Sequence, residues 1–335
     1  MTLSPDQIEA NRQAVQAAGD RTLDQYQDWM LTNAASHILR TARTLGVTKR
    51  LRERQHTIEE LGQALSVEES RLRPLLDALV SIGFVEHYET DYALARAGHL
   101  LCQDDEDLGD GRWEQLESRL RGDDPADSVD YQRRLAATQW IHTSAAMQAA
   151  EILDIGGSDS PRGLRILDLG CGSAVWSCAM AHRDADSTVV AIDEAASLSR
   201  ARAMADSIGM GDRFRMIESS PDVATLAEAS FDLVVIAQQL SSREDEVATR
   251  LLGRAVASLQ PGGRLVAPDY YAGPAKPSLN ESVAALSLVA ETAGRARPLP
   301  EVQQMLLAAG LTSIQFTYLA ASRQGLGMVV ASVPE

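Results

Sequence analysis

The most specific chemistry in this sequence comes from two carboxylates and a pair of glycines. Asp168 lies two residues before Gly170, with Gly172 close behind, in the stretch Ile166-Leu167-Asp168-Leu169-Gly170-Cys171-Gly172-Ser173-Ala174. Asp193 follows a little over twenty residues later, at the end of Thr188-Val189-Val190-Ala191-Ile192. An apolar run that breaks into a glycine turn lets the backbone pass close beneath a ligand with no Cβ in the way. A dinucleotide fingerprint would require glycine where Val175 stands, and a phosphate would be repelled by Asp168. The same carboxylate attracts a ligand bearing an ammonium and a sulfonium, and an acid at Asp193 can accept both hydroxyls of a ribose. S-adenosylmethionine has all of these groups. Taken alone, the loop also reads as a plain β-to-α turn, with Ala174 standing where many such loops have a third glycine.

The elements that must hold these residues alternate in type. Ile166 to Leu169 reads as a buried strand, Ala174 to His182 as a helix and Thr188 to Ile192 as a second strand. Ala195 to Ile208 is a helix, Phe214 to Ile217 a strand, Phe231 to Ile236 a strand ending at Ala237-Gln238-Gln239, and Glu244 to Leu259 a helix stopped by Pro261-Gly262-Gly263. Arg264 to Ala267 is the fifth strand. Glu301 to Ala309 is a helix, and Thr312 to Leu319 with Gly327 to Ser332 reads as a closing hairpin. Alternating strands and helices predict an α/β, Rossmann-like, mostly parallel sheet with an antiparallel C-terminal hairpin. Ligands of such sheets sit at the carboxyl ends of the strands. That rule adds Glu194, Ser219, Ser220 and Gln238 to Asp168, Gly170, Gly172 and Asp193 as candidate cofactor contacts.

The N-terminal third is different. Gln7 to about Gly46 reads as helical, with Leu23, Tyr26, Met30, Ile38 and Leu45 at helical spacing. Thr57 and Glu60 form a capping box opening Ile58 to Leu65. Glu68 to Ile82 is a helix ending at Gly83, and Phe84 to Tyr88 with Tyr92 to Leu94 makes a hairpin. Helix, helix, hairpin is a winged-helix order, which raises the question of nucleic acid. Residues 1 to 110 carry 11 basic and 19 acidic side chains, so a phosphate backbone would be repelled. Residues 103 to 153 read as an acidic linker, holding Asp104, Asp105, Glu106, Asp107, Asp124 and Pro125, with one short helix around Trp113 to Leu120 and then a long helix from Val129 to Leu153.

Composition sets the outer bounds. The chain has 335 residues, 45% hydrophobic, with a formal net charge of −16. Two ordinary domains fit that length. The charge argues against nucleic acid and against an anionic membrane surface. No run approaches eighteen apolar residues, and the polar start is unlike a signal sequence, so the expectation is a soluble, cytoplasmic protein. Cys102, Cys171 and Cys178 have neither disulfide-framework nor metal-ligand spacing, and no metal is expected.

These motifs resemble the class I S-adenosylmethionine-dependent methyltransferases. The segment from Thr57 to Leu101, "TIEELGQALSVEESRLRPLLDALVSIGFVEHY...YALARAGHLL", narrows the resemblance to small-molecule O-methyltransferases with an N-terminal dimerisation domain. It implies residues 1–102 as a winged-helix-like dimerisation domain, 103–153 as linker and connecting helix, 154–335 as the catalytic domain, and a homodimer acting on a small molecule. It also implies that Tyr131, Trp140, His142 and Met147 lie near cofactor or substrate, although ordinary helix packing accounts for each equally well.

Methyl transfer from a sulfonium needs positioning and, for a hydroxyl acceptor, a base. The family's signature after the fourth strand has a histidine as that base. In "AQQLSSREDEVATRLL" the acidic run and helix are kept, but Ser241 holds the histidine's place, and serine is no base at neutral pH. Ser219-Ser220 likewise replaces the family's Gly-Asp near the adenine. Three readings follow. The chain methylates an acidic hydroxyl, a carbon or a nitrogen, with His142, Tyr270, Tyr271 or Glu291 as candidate assistants; or it binds the cofactor for another reaction; or it is a non-catalytic binding dimer. The loop Ala272 to Ser278 and a helix Leu279 to Ala293 are expected to form an apolar substrate wall, with packing on a dimer partner as that helix's alternative role.

Overall fold

The computed structural model describes residues 21–104, 107–123, 128–273 and 276–335. The expected helical start from Gln7 to Asp20, the linker acids Asp105, Glu106 and Asp124, Pro125, and Pro274 of the expected substrate wall lie outside these residues. The chain divides into two compact units, the first ending in sequence at Leu108 and the second beginning at Gly109.

In the first unit, helix α1 (Thr22–Leu45) ends at Gly46, whose left-handed φ of 93° closes the helix, and α2 (Val47–Glu53) follows at once. The short strand β1 (His56–Thr57) leads into α3 (Ile58–Leu65) and α4 (Glu69–Ile82), then into the hairpin β2 (Val85–Tyr88) and β3 (Asp91–Leu94) and α5 (Arg96–Asp104). The capping box is present: the Glu60 amide donates to Thr57 Oγ1 at 3.2 Å, and the Thr57 amide donates to Glu60 Oε2 at 3.2 Å. Leu51, Leu61, Leu72, Leu76 and Leu79 form a buried cluster with Tyr92. Strand β1, absent from the sequence reading, pairs antiparallel with β3 and makes the sheet three-stranded. Two residues are too few to show a period. The first turns of α1 leave Leu23, Tyr26, Trp29 and Met30 exposed, so the apolar spacing that marks the helix is not buried within the unit.

The second unit opens with two short helices, α6 (Asp110–Glu114) and α7 (Leu116–Leu120), where one was expected. The expected long connecting helix is broken into α8 (Ser128–Thr138), a 3-10 turn over Gln139–His142, and α9 (Thr143–Ile152). Strand β4 (Arg165–Leu169), helix α10 (Val175–His182), strand β5 (Thr188–Asp193), helix α11 (Ala195–Ser207), strands β6 (Phe214–Glu218) and β7 (Phe231–Val235), and helix α12 (Asp245–Ser258) follow as the sequence implies. Strand β8 (Leu259–Asp269) is longer than expected because Pro261-Gly262-Gly263 lies inside it as an irregular start. A two-residue parallel pair, β9 (Tyr271–Ala272) with β10 (Arg297–Pro298), brackets α13 (Leu279–Glu291). Helix α14 (Leu299–Ala308) and strands β11 (Thr312–Tyr318) and β12 (Gly327–Ser332) complete the unit.

The seven-stranded sheet runs β11-β12-β8-β7-β4-β5-β6, with β12 antiparallel to β8 and the five central and far strands parallel. Buried clusters lie on both faces, as a parallel sheet covered by helices requires. Helices α6 and α7 pack on α13, so residues 110–120 belong structurally with this unit, although the sequence reads them as a solvated linker.

One buried cation ties the loop after β7 to its neighbours. Arg297 is 1% exposed and donates to the carbonyl of Leu240, to that of Arg243 at 3.0 Å and to Asp245 Oδ1 at 2.6 Å. Replacing Arg297 with methionine orphans these acceptors while keeping most of the apolar stem. The expected loss is about 3 kcal/mol of unfolding free energy, measured by urea denaturation. An unchanged midpoint and slope would show that the loop holds itself.

Candidate active site

The turn after β4 is built from three left-handed residues: Gly170 at φ 79°, Gly172 at 56° and Ala174 at 57°. Two buried carboxamides press on it from different elements. A Cβ on Gly170 would stand 2.5 Å from the Gln239 side chain, and one on Gly172 would stand 2.8 Å from Gln139 Oε1. Both glycines are therefore required by close approach as well as by backbone conformation. Gln239 Nε2 donates to the Gly170 carbonyl at 3.0 Å, and Gln139 Oε1 accepts from the Ser173 amide at 3.0 Å and from its hydroxyl at 3.2 Å. The loop is also joined to the next strand, because the Gly172 amide donates to Asp193 Oδ2 at 2.8 Å.

Asp168 and Asp193 are both buried, at 1% and 2% exposure. Ser177 Oγ donates to Asp168 Oδ2 at 2.5 Å, and Asp168 Oδ1 has no hydrogen-bond partner. Burial pushes the Asp168 carboxyl up to about 7, against the Ser177 hydrogen bond and with help from the nearby Asp193 charge. Burial also raises Asp193, opposed by donors from Gly172, Glu194 and Ser197. Asp193, Glu194 and Ser220 line one cleft of about 310 Å³ together with Tyr131, Arg243 and Thr292. Ser219 is placed beside them by its amide, which donates to the Asp193 carbonyl at 3.0 Å. Gln238 is buried at a left-handed φ of 57°, and its Oε1 is without a partner.

Each candidate assistant is already engaged by neighbouring groups. Ser241 is buried and both its amide and its hydroxyl donate to Asp269, the carboxylate that ends β8; Asp269 also accepts from the amides of Leu240 and Tyr270. Ser241 thus pins a loop. His142 lies 4% exposed with its ring stacked on Trp176, and burial lowers it to about 4, so it is neutral core at pH 7. Glu291 is held by Arg112 at 3.4 Å and by Arg134. The Tyr270 hydroxyl donates to Gln324 Oε1, the Tyr271 hydroxyl donates to the Ala267 carbonyl at 2.7 Å, and burial raises both phenols above their ordinary value.

Tyr270 and Tyr271 line a second cavity of about 490 Å³ with Gly273, Pro277, Ala285 and Val289. Of the expected wall, Ala285 and Val289 line this cavity, whereas Ala284 and Leu288 are buried and do not line it. Gln239 and Asp269, which the sequence places at strand ends but not among the candidate contacts, also shape the site. So does Gln139, whose spacing does not distinguish it from an ordinary helix polar residue.

Strand order and glycine turn together define a class I methyltransferase fold. Residues 166–263 match the family model of a methyltransferase domain. Over 84 residues the chain is 37% identical to the demethylspheroidene O-methyltransferase of Rhodobacter capsulatus; the match covers 25% of this chain and about a fifth of that curated relative, 21%. Solved structures agree over nearly the whole length. The mitomycin 7-O-methyltransferase superposes with a TM-score of 0.72 at 18% identity, covering 97% of this chain and 99% of the other. Human N-acetylserotonin methyltransferase gives 0.71 at 17%, covering 95% and 99%. The N,N-8-amino-8-demethyl-D-riboflavin dimethyltransferase of Streptomyces davawensis gives 0.69 at 19%, covering 93% and 99%. Residues 166–263 thus match a methyltransferase domain, and the chain as a whole carries the fold seen in O-methyltransferase structures.

Gly170→Ala places a methyl on Gln239 at a φ unfavourable to alanine. A destabilisation of about 2 kcal/mol is expected in chemical denaturation. Full stability would mean that Gly170 is not constrained by the carboxamide against it.

Proposed function

We propose that this protein transfers a methyl group from S-adenosylmethionine to a small, flat or apolar acceptor. The observation that carries the reading is Asp168, a buried carboxylate with one oxygen unpaired, beside a glycine turn that is itself bonded to the cleft carboxylate Asp193. An ammonium suits the free oxygen of Asp168, and ribose hydroxyls suit Asp193 and Glu194 at the cleft, with Ser219 and Ser220 toward the base. The sulfonium donor brings an already activated methyl. The protein's own task is then to exclude water and fix the acceptor.

The acceptor is assigned to the cavity of Tyr270, Tyr271, Ala285 and Val289, whose lining is mostly apolar. Ser241 gives its hydroxyl to Asp269, and Glu291 is engaged by two arginines. These placements favour an acceptor that needs no strong base: an acidic phenol or enol, a carbon or a nitrogen. Similar folds include a protein named as an O-methyltransferase and one named as a dimethyltransferase of an amino-riboflavin. The test is transfer of labelled methyl to a panel of phenols, enols and heterocyclic amines. Labelled product supports the reading; donor binding with no transfer to any class moves the protein to another reaction of the bound cofactor. Ser241→Ala is expected to keep turnover within about threefold, since a hydroxyl committed to Asp269 is no base.

A homodimer belongs to the same proposal. Leu23 at 77%, Tyr26 at 58%, Trp29 at 69% and Met30 at 58% exposure form an uncovered apolar stretch on α1, and a second copy of the chain is the occupant proposed for it. No described helix is long and apolar enough to cross a membrane. Cys171 and Cys178 are buried thiols, in keeping with the cytoplasmic setting we propose.

The raised Asp168 makes donor binding pH-dependent. Below about 7 the carboxyl carries a proton, and pairing with an ammonium requires its loss. Affinity for S-adenosylmethionine is expected to rise from pH 5.5 to 8, with net proton release seen as a buffer-dependent enthalpy in calorimetry. A flat profile with no proton release would contradict the assignment of Asp168 to the ammonium.

A further inference from the structure

The buried groups left without partners around the glycine turn are of two opposite kinds. Asp168 Oδ1 and Gln239 Oε1 are acceptors, whereas Gln139 Nε2 and the Trp176 indole N–H are donors, and of these two donors Gln139 is the one bonded to the turn itself. The orientation of Gln139 follows from its neighbour: the Ser173 amide can only donate, so the atom that meets it is the carbonyl oxygen, and the NH2 is the group left over. Gln139 is 0% exposed, and its carboxamide lies against Gly172, where an added Cβ would stand 3.3 Å from Nε2. A buried amide donor without a partner costs roughly 1 to 3 kcal/mol, so its retention calls for an acceptor. Unpaired acceptors and an unpaired donor beside one turn match an amino-acid zwitterion, whose ammonium needs oxygens and whose carboxylate needs an N–H.

We infer that Gln139 is a positioning residue that donates from Nε2 to the α-carboxylate of the donor's methionine tail, while its Oε1 holds the Ser173 amide and so shapes the turn on which that tail rests. The inference deepens the proposed function and rests on it. It gives the 3-10 turn between α8 and α9 a role: breaking the helix at Gln139–His142 brings a side chain from a preceding element onto the loop after β4.

The test is a two-by-two comparison by calorimetry. The full-length protein and its Gln139→Glu variant are each titrated with S-adenosylhomocysteine and with its decarboxylated analogue, the 3-aminopropyl thioether of 5′-deoxyadenosine, which keeps the ammonium. Glutamate retains an oxygen for Ser173 but presents a carboxylate where the amide donor was. The expected result is a loss of about tenfold or more for S-adenosylhomocysteine in the variant, with the analogue changed by less than about twofold. Equal losses for both ligands would reduce Gln139 to a loop support, and unchanged affinity for both would remove it from the site; either overturns the inference. If the glutamate variant does not fold, Gln139→Met, of equal length and without the donor, is read by the same criterion. Failure of the unaltered protein to bind either adenosyl ligand would overturn the proposed function, and this inference with it.

Discussion

The hydrogen bond from the Gly172 amide to Asp193 is the constraint from which the rest of the site follows. It joins the carboxyl ends of two adjacent parallel strands, and it can form only if the chain turns sharply after Leu169. That turn needs left-handed residues at 170, 172 and 174, and the carboxamides of Gln239 and Gln139 lie too close to tolerate side chains at the first two. Ala174 alone among the three carries a Cβ, at some conformational cost, and it is wholly buried where it opens α10. The loop is held by Gln239, by Asp193 and by Gln139 of the preceding turn, so its peptide groups are fixed in advance of any ligand.

The electrostatics are arranged around that fixed loop. Two carboxylates are buried at its ends, and burial raises both. Protonation offsets the cost of burying Asp168 without a counter-ion, and a cationic ligand would offset it better. Elsewhere in the unit the buried charges are already satisfied within the protein: Arg297 by carbonyls and Asp245, Asp269 by four donors, Glu291 by two arginines. Asp168 keeps one oxygen unpaired at the glycine turn, although Arg254 Nε and Arg297 Nε also lack hydrogen-bond partners away from it.

Much of this was legible from residue order. The β4 turn, Asp193 and the alternation of strands and helices specify the sheet, because buried parallel strands read as continuous apolar runs and glycine turns mark their ends. The resemblance located Ser241, and in the structure its amide and hydroxyl anchor the loop after β7 to Asp269. What sequence could not show were long-range pairings. Gln139 and Gly172 are brought together by a helix break that 3.6-residue periodicity does not foresee, and β9 pairs with β10 across an entire helix. His142 read as a candidate base because histidine titrates near neutrality; its stacking on Trp176 inside the core is a tertiary fact. Likewise, residues 110–120 read as a linker because they are polar and glycine-containing, yet two short helices there pack on α13.

The central claim is that the turn and its two carboxylates select an adenosyl cation or its thioether over a dinucleotide. Calorimetric titration of the purified protein with S-adenosylmethionine, S-adenosylhomocysteine and NAD tests it most directly. The account predicts micromolar binding of the two adenosyl ligands and none of NAD. Binding of NAD in preference to both, or of none of the three, would contradict it.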